Sequence, residues 1–409
     1  LMTLVLVCAL PIWAAFVTSG DVTNPLLTTA DAAELTLQGM IDQANAGDTI
    51  KLSSNTEIAA TLQITKNLTL DLNGCTLRMT GTGSVLKVSG RATLTITDSS
   101  AAKSGTITGG NAGDGGGVYV EAYATLEMTG GCITGCRAED GGGVYIDNNA
   151  TLKMTGGCIT DCHASYGGGG IYSYENLYMG GTAKIEKCTS KWGSDDAIWN
   201  RERCNIYADG GTVDGTVNNQ GTIRRSEGAA AETVFNGTVY NRSAGTIIAG
   251  IYNETVENNG TITGGTFWGT VTNKKSAWGN EAGTISGGTF AVRFDTGDGT
   301  KPEPTPVEHN RTVLRPTSDP EKSGHTFVGW YLGDALYDFN TPVIAPLTLT
   351  ARWEEVPSSG GNYYYHPTTD TKADDTKGSP KTADPGVALY GALALLSLTG
   401  MVALNGKKR

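Results

Sequence analysis

Five cysteines recur at a fixed spacing and are the first residues that could do redox chemistry. Cys132 and Cys158 lie 26 residues apart, and Cys136, Cys162 and Cys188 form a second series with the same offset. If one turn of a repeat separates such residues, their Cα atoms fall within disulfide range, and an extracellular setting permits oxidation. Stacking also accommodates buried thiols without a bond, and the second series has an odd number. We favour reduced or partly bonded ladders over fully formed disulfides.

Metal binding is the second chemistry these residues could offer. Cys136, Cys162 and His163 together supply three zinc-type ligands. Structural zinc needs a tetrahedron of ligands, and stacked positions lie in a line instead. We therefore predict neither a metal nor a cofactor.

Asp195 and Asp196 are the best candidates for acid–base chemistry. Gly193-Ser194-Asp195-Asp196 faintly resembles the paired-aspartate motif of β-helical polygalacturonases, in which an acid and a base flank the glycosidic bond. The Asn-Thr-Asp and His-Gly elements of that family are absent. We interpret the pair as a solvated loop and predict no enzymatic activity, with a polysaccharide lyase or hydrolase as the alternative.

The C-terminus combines a short motif, an apolar span and a basic tail. Residues 386–405 carry no charge, and 20 helical residues span a hydrocarbon core of about 30 Å. The tail Lys407-Lys408-Arg409 follows, and positive charge holds that end in the cytoplasm. Upstream lie Ser379, Pro380, Lys381, Thr382 and Ala383.

This order resembles the cell-wall sorting signal of Gram-positive surface proteins, here residues 379–409. The resemblance implies that a membrane sortase attacks the carbonyl of Thr382, releases Ala383 and transfers the chain to peptidoglycan. Ser379 and Ala383 depart from the commonest LPxTG pattern, which leaves the sortase class open. The alternative is a plain C-terminal membrane anchor.

The other end begins with an uncharged run. Residues 1–17 are apolar and small residues follow, so residues 1–20 are typical of a signal peptide. The chain starts with Leu1 and lacks a basic segment, so we expect the recorded start to be truncated. An N-terminal membrane anchor is the alternative, although the run is shorter than the roughly 20 residues a bilayer needs.

Internal repeats dominate the centre of the chain. GGGVYVEAYATLEMTGGCITGC begins at Gly115, a close copy begins at Gly141, and a third begins at Gly168. Apolar residues alternate within each unit, which predicts short strands. One unit cannot bury its apolar face alone, but stacked units can, so the repeats predict a parallel β-helix. From Gly211 to Phe290 a shorter Gly-Thr-apolar pattern predicts narrower turns.

These units resemble the β-helix regions of bacterial adhesins and polymorphic surface proteins. The resemblance covers residues 32–290 and implies an all-β, right-handed parallel β-helix. The open end of such a solenoid needs a cap. Asp31 and Glu34 form a capping-box pattern, and Leu37, Met40, Ile41 and Ala44 follow on one face, so residues 32–46 are predicted to form a capping helix.

Residues 291–354 break the repeat pattern. Their GHTFVGWY and LTLTARW stretches resemble the Listeria–Bacteroides repeat, a β-grasp module of internalin-type surface proteins. The resemblance implies a spacer or weak interaction unit, with Trp330 and Trp353 in its core. Residues 355–378 are poor in aliphatic side chains and are predicted to be a disordered linker that spans the cell wall.

Composition excludes other classes of protein. The chain has 409 residues, a net charge of −11 and 57 glycines. Such acidity excludes a basic nucleic-acid binder. Glycine and threonine are poor helix formers, which favours short strands over helices. The sequence predicts a secreted, wall-anchored adhesin of a Gram-positive bacterium. Its expected partners are a sortase, peptidoglycan and an unidentified host or extracellular glycan or protein.

Overall fold

The computed structural model describes residues 3–6, 36–191, 196–275, 282–300 and 302–356, the first of these by backbone alone. The predicted spanning segment 386–405 therefore lies outside the described residues, as does most of the predicted signal peptide and linker. Within the predicted signal peptide, the short strand Thr3–Leu6 pairs in parallel with Thr49–Leu52.

Most of the described chain is a coil of short strands, each hydrogen-bonded in parallel to the strand one turn later. Three long sheets result. Sheet one contains β1 Thr3–Leu6, β2 Thr49–Leu52, β5 Leu68–Asp71, β8 Thr93–Thr97, β11 Thr125–Met128, β15 Thr151–Met154, β24 Thr222–Arg224, β27 Thr246–Ile247, β30 Thr261–Ile262 and β33 Thr284–Ile285. This is the arrangement of a parallel β-helix, and it confirms the all-β prediction.

The other two long sheets follow the same order. Sheet two contains β3 Thr56–Ile58, β6 Thr76–Met79, β9 Thr106–Thr108, β12 Cys132–Thr134, β16 Cys158–Thr160, β25 Val234–Phe235, β28 Ile251–Tyr252, β31 Thr266–Phe267 and β34 Thr289–Asp295. Sheet three contains β4 Leu62–Ile64, β7 Leu86–Val88, β10 Val118–Val120, β14 Val144–Ile146, β18 Ile171–Ser173, β21 Asp196–Asn200, β23 Thr216–Asn219, β26 Val239–Asn241, β29 Val256–Asn258 and β32 Val271–Asn273.

Two long strands and one small sheet complete the solenoid. Strands β19 Asn176–Glu186 and β22 Asn205–Asp214 run from sheet one into sheet two without a break. The small sheet contains β13 Arg137–Asp140, β17 His163–Gly167 and β20 Thr189–Ser190. It extends the wide turns immediately before sheet three.

Alternation of inward and outward side chains fixes the register. Leu126 lies opposite Leu152, and Met128 lies opposite Met154. The threonines that alternate with such inward residues along a strand point outwards. A column of isoleucines, Ile107, Ile133, Ile159 and Ile185, is fully buried in sheet two. β-Branched side chains stack well on a pleated surface, which explains why these residue types recur at these positions.

The triple glycines make the corner that leads into sheet three. Gly141 has a φ of +65°, and a Cβ on Gly142 would lie 2.5 Å from the carbonyl oxygen of His163. Real Cβ atoms do not approach a carbonyl that closely. The repeated GGG is therefore required by backbone geometry.

The turns shorten along the coil. Equivalent residues Val118 and Val144 are 26 residues apart, whereas Val256 and Val271 are 15 apart. The prediction of narrower turns in the second half is confirmed.

The N-terminal end is covered by helix α1 Leu37–Gln43. Leu37, Met40 and Ile41 are buried, as the predicted helical face requires. The predicted bounds 32–46 are wrong, because the Thr36 hydroxyl accepts the N–H of Gly39 at 3.2 Å and starts the helix there. The helix ends at Ala44, whose backbone is extended.

The C-terminal end continues directly into a small mixed sheet. Its strands are β34, β35 Thr305–Glu308, β36 His325–Leu332, β37 Ala335–Leu336 and β38 Leu347–Glu355, in the spatial order β35-β34-β38-β36-β37. Trp330 is buried and packs edge-on against Phe294 at 4.9 Å between ring centroids. The described part of this module contains no helix across the sheet.

Strand β34 belongs to both parts of the molecule. It pairs in parallel with β31, which places Phe290 on Phe267 at 5.5 Å, and it pairs with β35 and β38 of the small sheet. His309 then covers Phe290 edge-on at 6.1 Å. The module therefore closes the C-terminal end of the solenoid core.

Candidate ligand-binding face

The wide turns display a column of aromatic side chains on the outer surface of sheet three. Tyr119, Tyr145, Tyr172 and Trp199 occupy the central position of successive strands. Their ring centroids are 5.4, 5.7 and 6.3 Å apart, with interplanar angles of 18°, 4° and 10°. We call these four residues together with Tyr174 the aromatic face.

The local sequence explains why these rings point outwards. Each aromatic residue lies between two inward-pointing residues, as in Val118-Tyr119-Val120 and Val144-Tyr145-Ile146. The apolar residues on either side of each tyrosine in these two strands are fully buried. Side chains alternate along a strand, so the central residue points away from the core. Tyr119, Tyr145 and Trp199 are half-buried, and Tyr172 is buried under its neighbours.

The rings cover one another rather than lying flat on the sheet. Neighbouring strands are about 4.8 Å apart. Two aromatic rings side by side in one plane need more room than that, and the measured pairs are stacked. The ring faces inside the column are therefore covered by neighbouring rings.

Cations of the chain itself occupy both ends of this column. At one end, Lys87 lies over the ring of Tyr119 at 5.4 Å and pairs with Glu121 at 3.2 Å. At the other end, the Arg201 guanidinium lies 4.6 Å from the Tyr174 ring and donates to the hydroxyls of Tyr172 and Tyr174 at 3.0 and 3.1 Å.

Carboxylates flank the middle of the column. The Tyr119 hydroxyl donates to Asp147 at 3.0 Å, and Asp140 accepts the N–H of Gly167 at 3.2 Å. Asp114 is bridged to Asp140 through the backbone. Within the described residues, none of the three carboxylates forms an ion pair.

Burial and neighbouring charges shift the pKa values of several of these groups. Desolvation, and after it the charges of Glu139 and Asp147, raise the pKa of Asp114. Desolvation also raises the pKa of Asp140, with the charge of Asp114 adding to it against the Gly167 hydrogen bond. Burial raises the pKa of Tyr172 to about 12 despite the nearby Arg201. The phenols therefore stay neutral near pH 7, and the charge of Arg201 only partly offsets the rise in the pKa of Asp140.

The aspartate pair predicted from the sequence is placed differently. Asp196 is buried, accepting the N–H of Gly168 at 3.0 Å and the amide of Asn218 at 3.4 Å. Desolvation raises the pKa of its carboxyl. Asp195 lies outside the described residues. Asp196 is therefore a buried corner residue, and its prediction as part of a solvated loop is wrong.

The two cysteine series face opposite ways. Cys132 and Cys158 point outwards from sheet two and form a disulfide with a Cα–Cα distance of 4.5 Å. Cys136, Cys162 and Cys188 are buried and free, each donating to a backbone carbonyl two residues earlier. The structure thus holds one bonded pair and one stacked column of thiols.

A second ladder was not identified from the sequence. Asn200, Asn219, Asn241, Asn258 and Asn273 end successive strands of sheet three, and each of the first four donates its side-chain amide to the next at 2.8 Å. The first four are fully buried. The signal was present, because an asparagine closes the motifs VNN, VYN and VEN before a Gly-Thr turn.

The remaining predicted residues belong to the C-terminal segment. The sorting motif Ser379 to Ala383 and the tail Lys407 to Arg409 lie outside the described residues. In the described ranges, no group of three or more histidines, cysteines or carboxylates is arranged to hold a metal. The helix of the described chain is too short to cross a membrane.

Comparison with known proteins identifies one part of the chain. Residues 290–352 match the model of the Listeria-Bacteroides repeat domain. Two similar proteins come from Evansella cellulosilytica. One, provisionally named a membrane protein, is 36% identical over 81 residues, 19% of this chain and 11% of the relative. The other, provisionally named a Gly-rich membrane protein, is 33% identical over 69 residues, 16% of this chain and 8% of the relative.

These matches cover a small share of each relative, about a tenth of its length. Together with the coil of parallel strands, they describe a β-strand repeat protein whose residues 290–352 are similar to the Listeria-Bacteroides repeat domain.

Proposed function

We propose that this chain is an adhesin-like protein of the bacterial cell surface, whose solenoid presents the aromatic face to a host or extracellular glycan or protein. The observation that carries the proposal is the outward column of Tyr119, Tyr145, Tyr172 and Trp199. Large amphipathic side chains arranged in a rigid row on the outside of a sheet are typical of recognition surfaces, where tyrosine, tryptophan and arginine supply most of the binding energy.

Localisation at the surface has separate support. The Listeria-Bacteroides repeat domain at residues 290–352 and the two relatives provisionally named membrane proteins both favour it. The acidic composition and the apolar segment 386–405 agree with a chain displayed outside the cell and held there by its C-terminus.

Attachment to peptidoglycan belongs to the same proposal. A sortase cysteine attacks the Thr382 carbonyl, the peptide bond to Ala383 breaks, and the new amine leaves with the C-terminal segment. A cell-wall amine then displaces the sortase thiolate and forms an amide with Thr382. The order of motif, apolar span and Lys407-Lys408-Arg409 supports this reading.

We further propose that the protein is not an enzyme. The one described member of the candidate aspartate pair, Asp196, is buried and hydrogen-bonded to Gly168 and Asn218. A general acid or base has to reach its substrate directly or through one water.

The binding part is tested with a glycan and matrix-protein array probed with the full chain. A double variant, Tyr119→Ser with Tyr145→Ser, is compared with Tyr178→Ser/Tyr207→Ser, which removes an outward stacked pair, 4.2 Å apart, from sheet one. We expect the first variant alone to lose at least tenfold in affinity. Equal binding by both variants and the wild type would contradict the proposal, as would depolymerisation of a polyuronide in a parallel assay.

The anchoring part is tested by mass spectrometry of muramidase-released wall fragments. The expected product ends at Thr382 and carries a cell-wall amine. A mature chain that retains residues after Thr382 contradicts sortase cleavage and favours a plain membrane anchor.

A further inference from the structure

We propose that the aromatic face binds a basic polypeptide segment, whose lysine or arginine side chains enter the middle of the column between Tyr119 and Tyr172. This inference rests on the proposed function and names the class of its ligand. It follows from which positions along the column already hold a cation and which do not.

At its two ends, the column already binds cations that belong to the chain itself. Lys87 lies over Tyr119, and Arg201 lies over Tyr174 while donating to two phenol oxygens. Ring faces and phenol oxygens attract cations because both carry negative potential. The two ends of the face therefore show which chemistry it accepts.

The middle of the column lacks such a cation among the described residues. No lysine or arginine of the described chain lies over the ring of Tyr145, and Asp114, Asp140 and Asp147 form no ion pair there. Asp114 is exposed, and Asp140 and Asp147 are half-buried. The field of Arg201 reaches Asp140 but does not extend to an ion pair. An approaching ammonium or guanidinium would meet carboxylates on both flanks of the stack.

The stacking of the rings disfavours a neutral sugar as the ligand. Sugars bind to proteins by laying their C–H faces on open aromatic faces. Here the faces of Tyr119, Tyr145 and Tyr172 are covered by their neighbours at 5.4 and 5.7 Å. The phenol hydroxyls and the flanking carboxylates suit a hydrogen-bonding cation better than an apolar sugar surface.

The length of the face favours an extended partner. The two cationic ends are separated by three strands of sheet three, so a ligand that spans the face has to contact several strands at once. One isolated exposed ion pair contributes about 1 kcal/mol or less. A polypeptide that carries several cations can combine such contacts, and complementary charge also accelerates encounter. Electrostatic attraction to a chain of net charge −11 adds to this preference.

The test measures binding of fluorescein-labelled dodecapeptides to the full chain by anisotropy at low salt. The probes are alternating Arg-Ser, alternating Glu-Ser and alternating Gln-Ser peptides, with cellohexaose as a competitor. The variant is Asp114→Asn/Asp140→Asn, which keeps the side-chain shape and the oxygen that accepts from Gly167. The matched control is Glu303→Gln/Glu321→Gln, which removes two exposed charges of the C-terminal module.

We expect the Arg-Ser peptide alone to bind, and Asp114→Asn/Asp140→Asn to weaken it at least tenfold, while Glu303→Gln/Glu321→Gln changes it less than twofold. Equal weakening by both variants means general attraction to an acidic protein and overturns the inference. Binding of the Gln-Ser peptide as tight as that of Arg-Ser overturns it too.

One further outcome separates this inference from the proposed function. If cellohexaose or an array glycan binds and Tyr119→Ser/Tyr145→Ser abolishes that binding, the face is a ligand site but its ligand is a sugar. The basic-segment inference is then wrong and the proposed function stands. If no probe binds and the tyrosine variants change nothing on the array, both are wrong.

Discussion

The wide turns and the narrow turns of the same solenoid solve the packing problem in different ways. The wide turn that begins at Val118 buries eight apolar side chains before the next copy begins at Val144. The narrow turn that begins at Val256 buries only three before Val271, namely Val256, Ile262 and Phe267, together with Asn258.

With few inward side chains, each one in the narrow half has to be large or hydrogen-bonded. The inward position of sheet two is isoleucine in the wide half and becomes Phe235, Tyr252, Phe267 and Phe290 in the narrow half, with the first three rings stacked 5.0 and 4.9 Å apart. On the inner side of sheet three, the asparagine ladder replaces an apolar column. Buried polar groups are tolerated there because each of the first four side-chain NH2 groups donates to the next asparagine.

The wide half, in contrast, buries more apolar side chains in each turn, and its outer surface carries the aromatic face. Its corners are fixed by the triple glycines, its inner cysteines fill space as thiols, and the tyrosines occur only on its outside. The narrow half is thus held together by a few large or hydrogen-bonded side chains, whereas the proposed recognition surface lies on the wide half.

The largest effect should come from Phe267→Ala. One of three apolar side chains in its turn is lost, and truncation of a buried phenylalanine costs about 3 to 5 kcal/mol. Leu152→Ala in the wide half should cost less, about 2 to 3 kcal/mol, because more neighbours can adjust. Urea unfolding followed by circular dichroism measures both. A smaller loss for Phe267→Ala than for Leu152→Ala would remove the contrast in packing.

The next effect concerns the outer cysteines of the wide half. Cys132→Ser/Cys158→Ser opens a 26-residue loop and should lower the free energy of unfolding by about 3 kcal/mol under oxidising conditions. Cys162→Ala should cost less, because no bond is broken. Titration with a thiol reagent in denaturant should detect Cys75, Cys136, Cys162, Cys188 and Cys204 as free. Three or fewer free thiols among these five would show that a second pair is bonded.

The asparagine ladder of the narrow half gives the third effect. Asn241→Ala leaves the Asn219 amide and the Asn258 oxygen without their partner in a buried site, which should cost about 2 kcal/mol. The matched control is Asn236→Ala on the exposed side, where water replaces the lost bonds to Asp214 and Asn253. Equal denaturation midpoints for the two variants would contradict an internal role for the ladder.

The smallest effect distinguishes the two kinds of glycine in the wide half. Gly142→Ala places a methyl group 2.5 Å from a backbone carbonyl and should cost about 1 to 2 kcal/mol. A Cβ at Gly113 meets nothing within 4 Å, so Gly113→Ala should leave thermal stability unchanged. A neutral Gly142→Ala would show that the corner is not as tight as the geometry requires.

Much of this fold could be predicted from repetition alone. The 26-residue offset of the GGGVY units predicts the stacked strands, and the alternation within them predicts which side chains are buried. The α1 bounds could not be predicted in this way. Asp31 and Glu34 match the capping-box pattern, but the hydroxyl of Thr36 can fill the same role a few residues later, and it is Thr36 that accepts the N–H of Gly39.

The site was harder to predict, for a physical reason. The cysteine series that begin at Cys132 and Cys136 have the same spacing in sequence. Only the direction of each side chain, outward or inward, decides which series can form a disulfide. The tyrosine of each VYV unit resembles any strand residue until three turns stack and bring Tyr119, Tyr145 and Tyr172 together. Binding surfaces of solenoids arise between repeats, and no single repeat contains them.

Hydroxyl-radical footprinting of the full chain, with and without the alternating Arg-Ser peptide, tests the division between the two halves most directly. Mass spectrometry then reads the oxidation of each tyrosine. We predict that Tyr119, Tyr145 and Tyr174 lose reactivity on binding, while Tyr178 and Tyr207 on sheet one keep theirs. Protection of Tyr178 and Tyr207, or of Tyr240 in the narrow half, with Tyr145 unchanged, would contradict the assignment of recognition to the aromatic face.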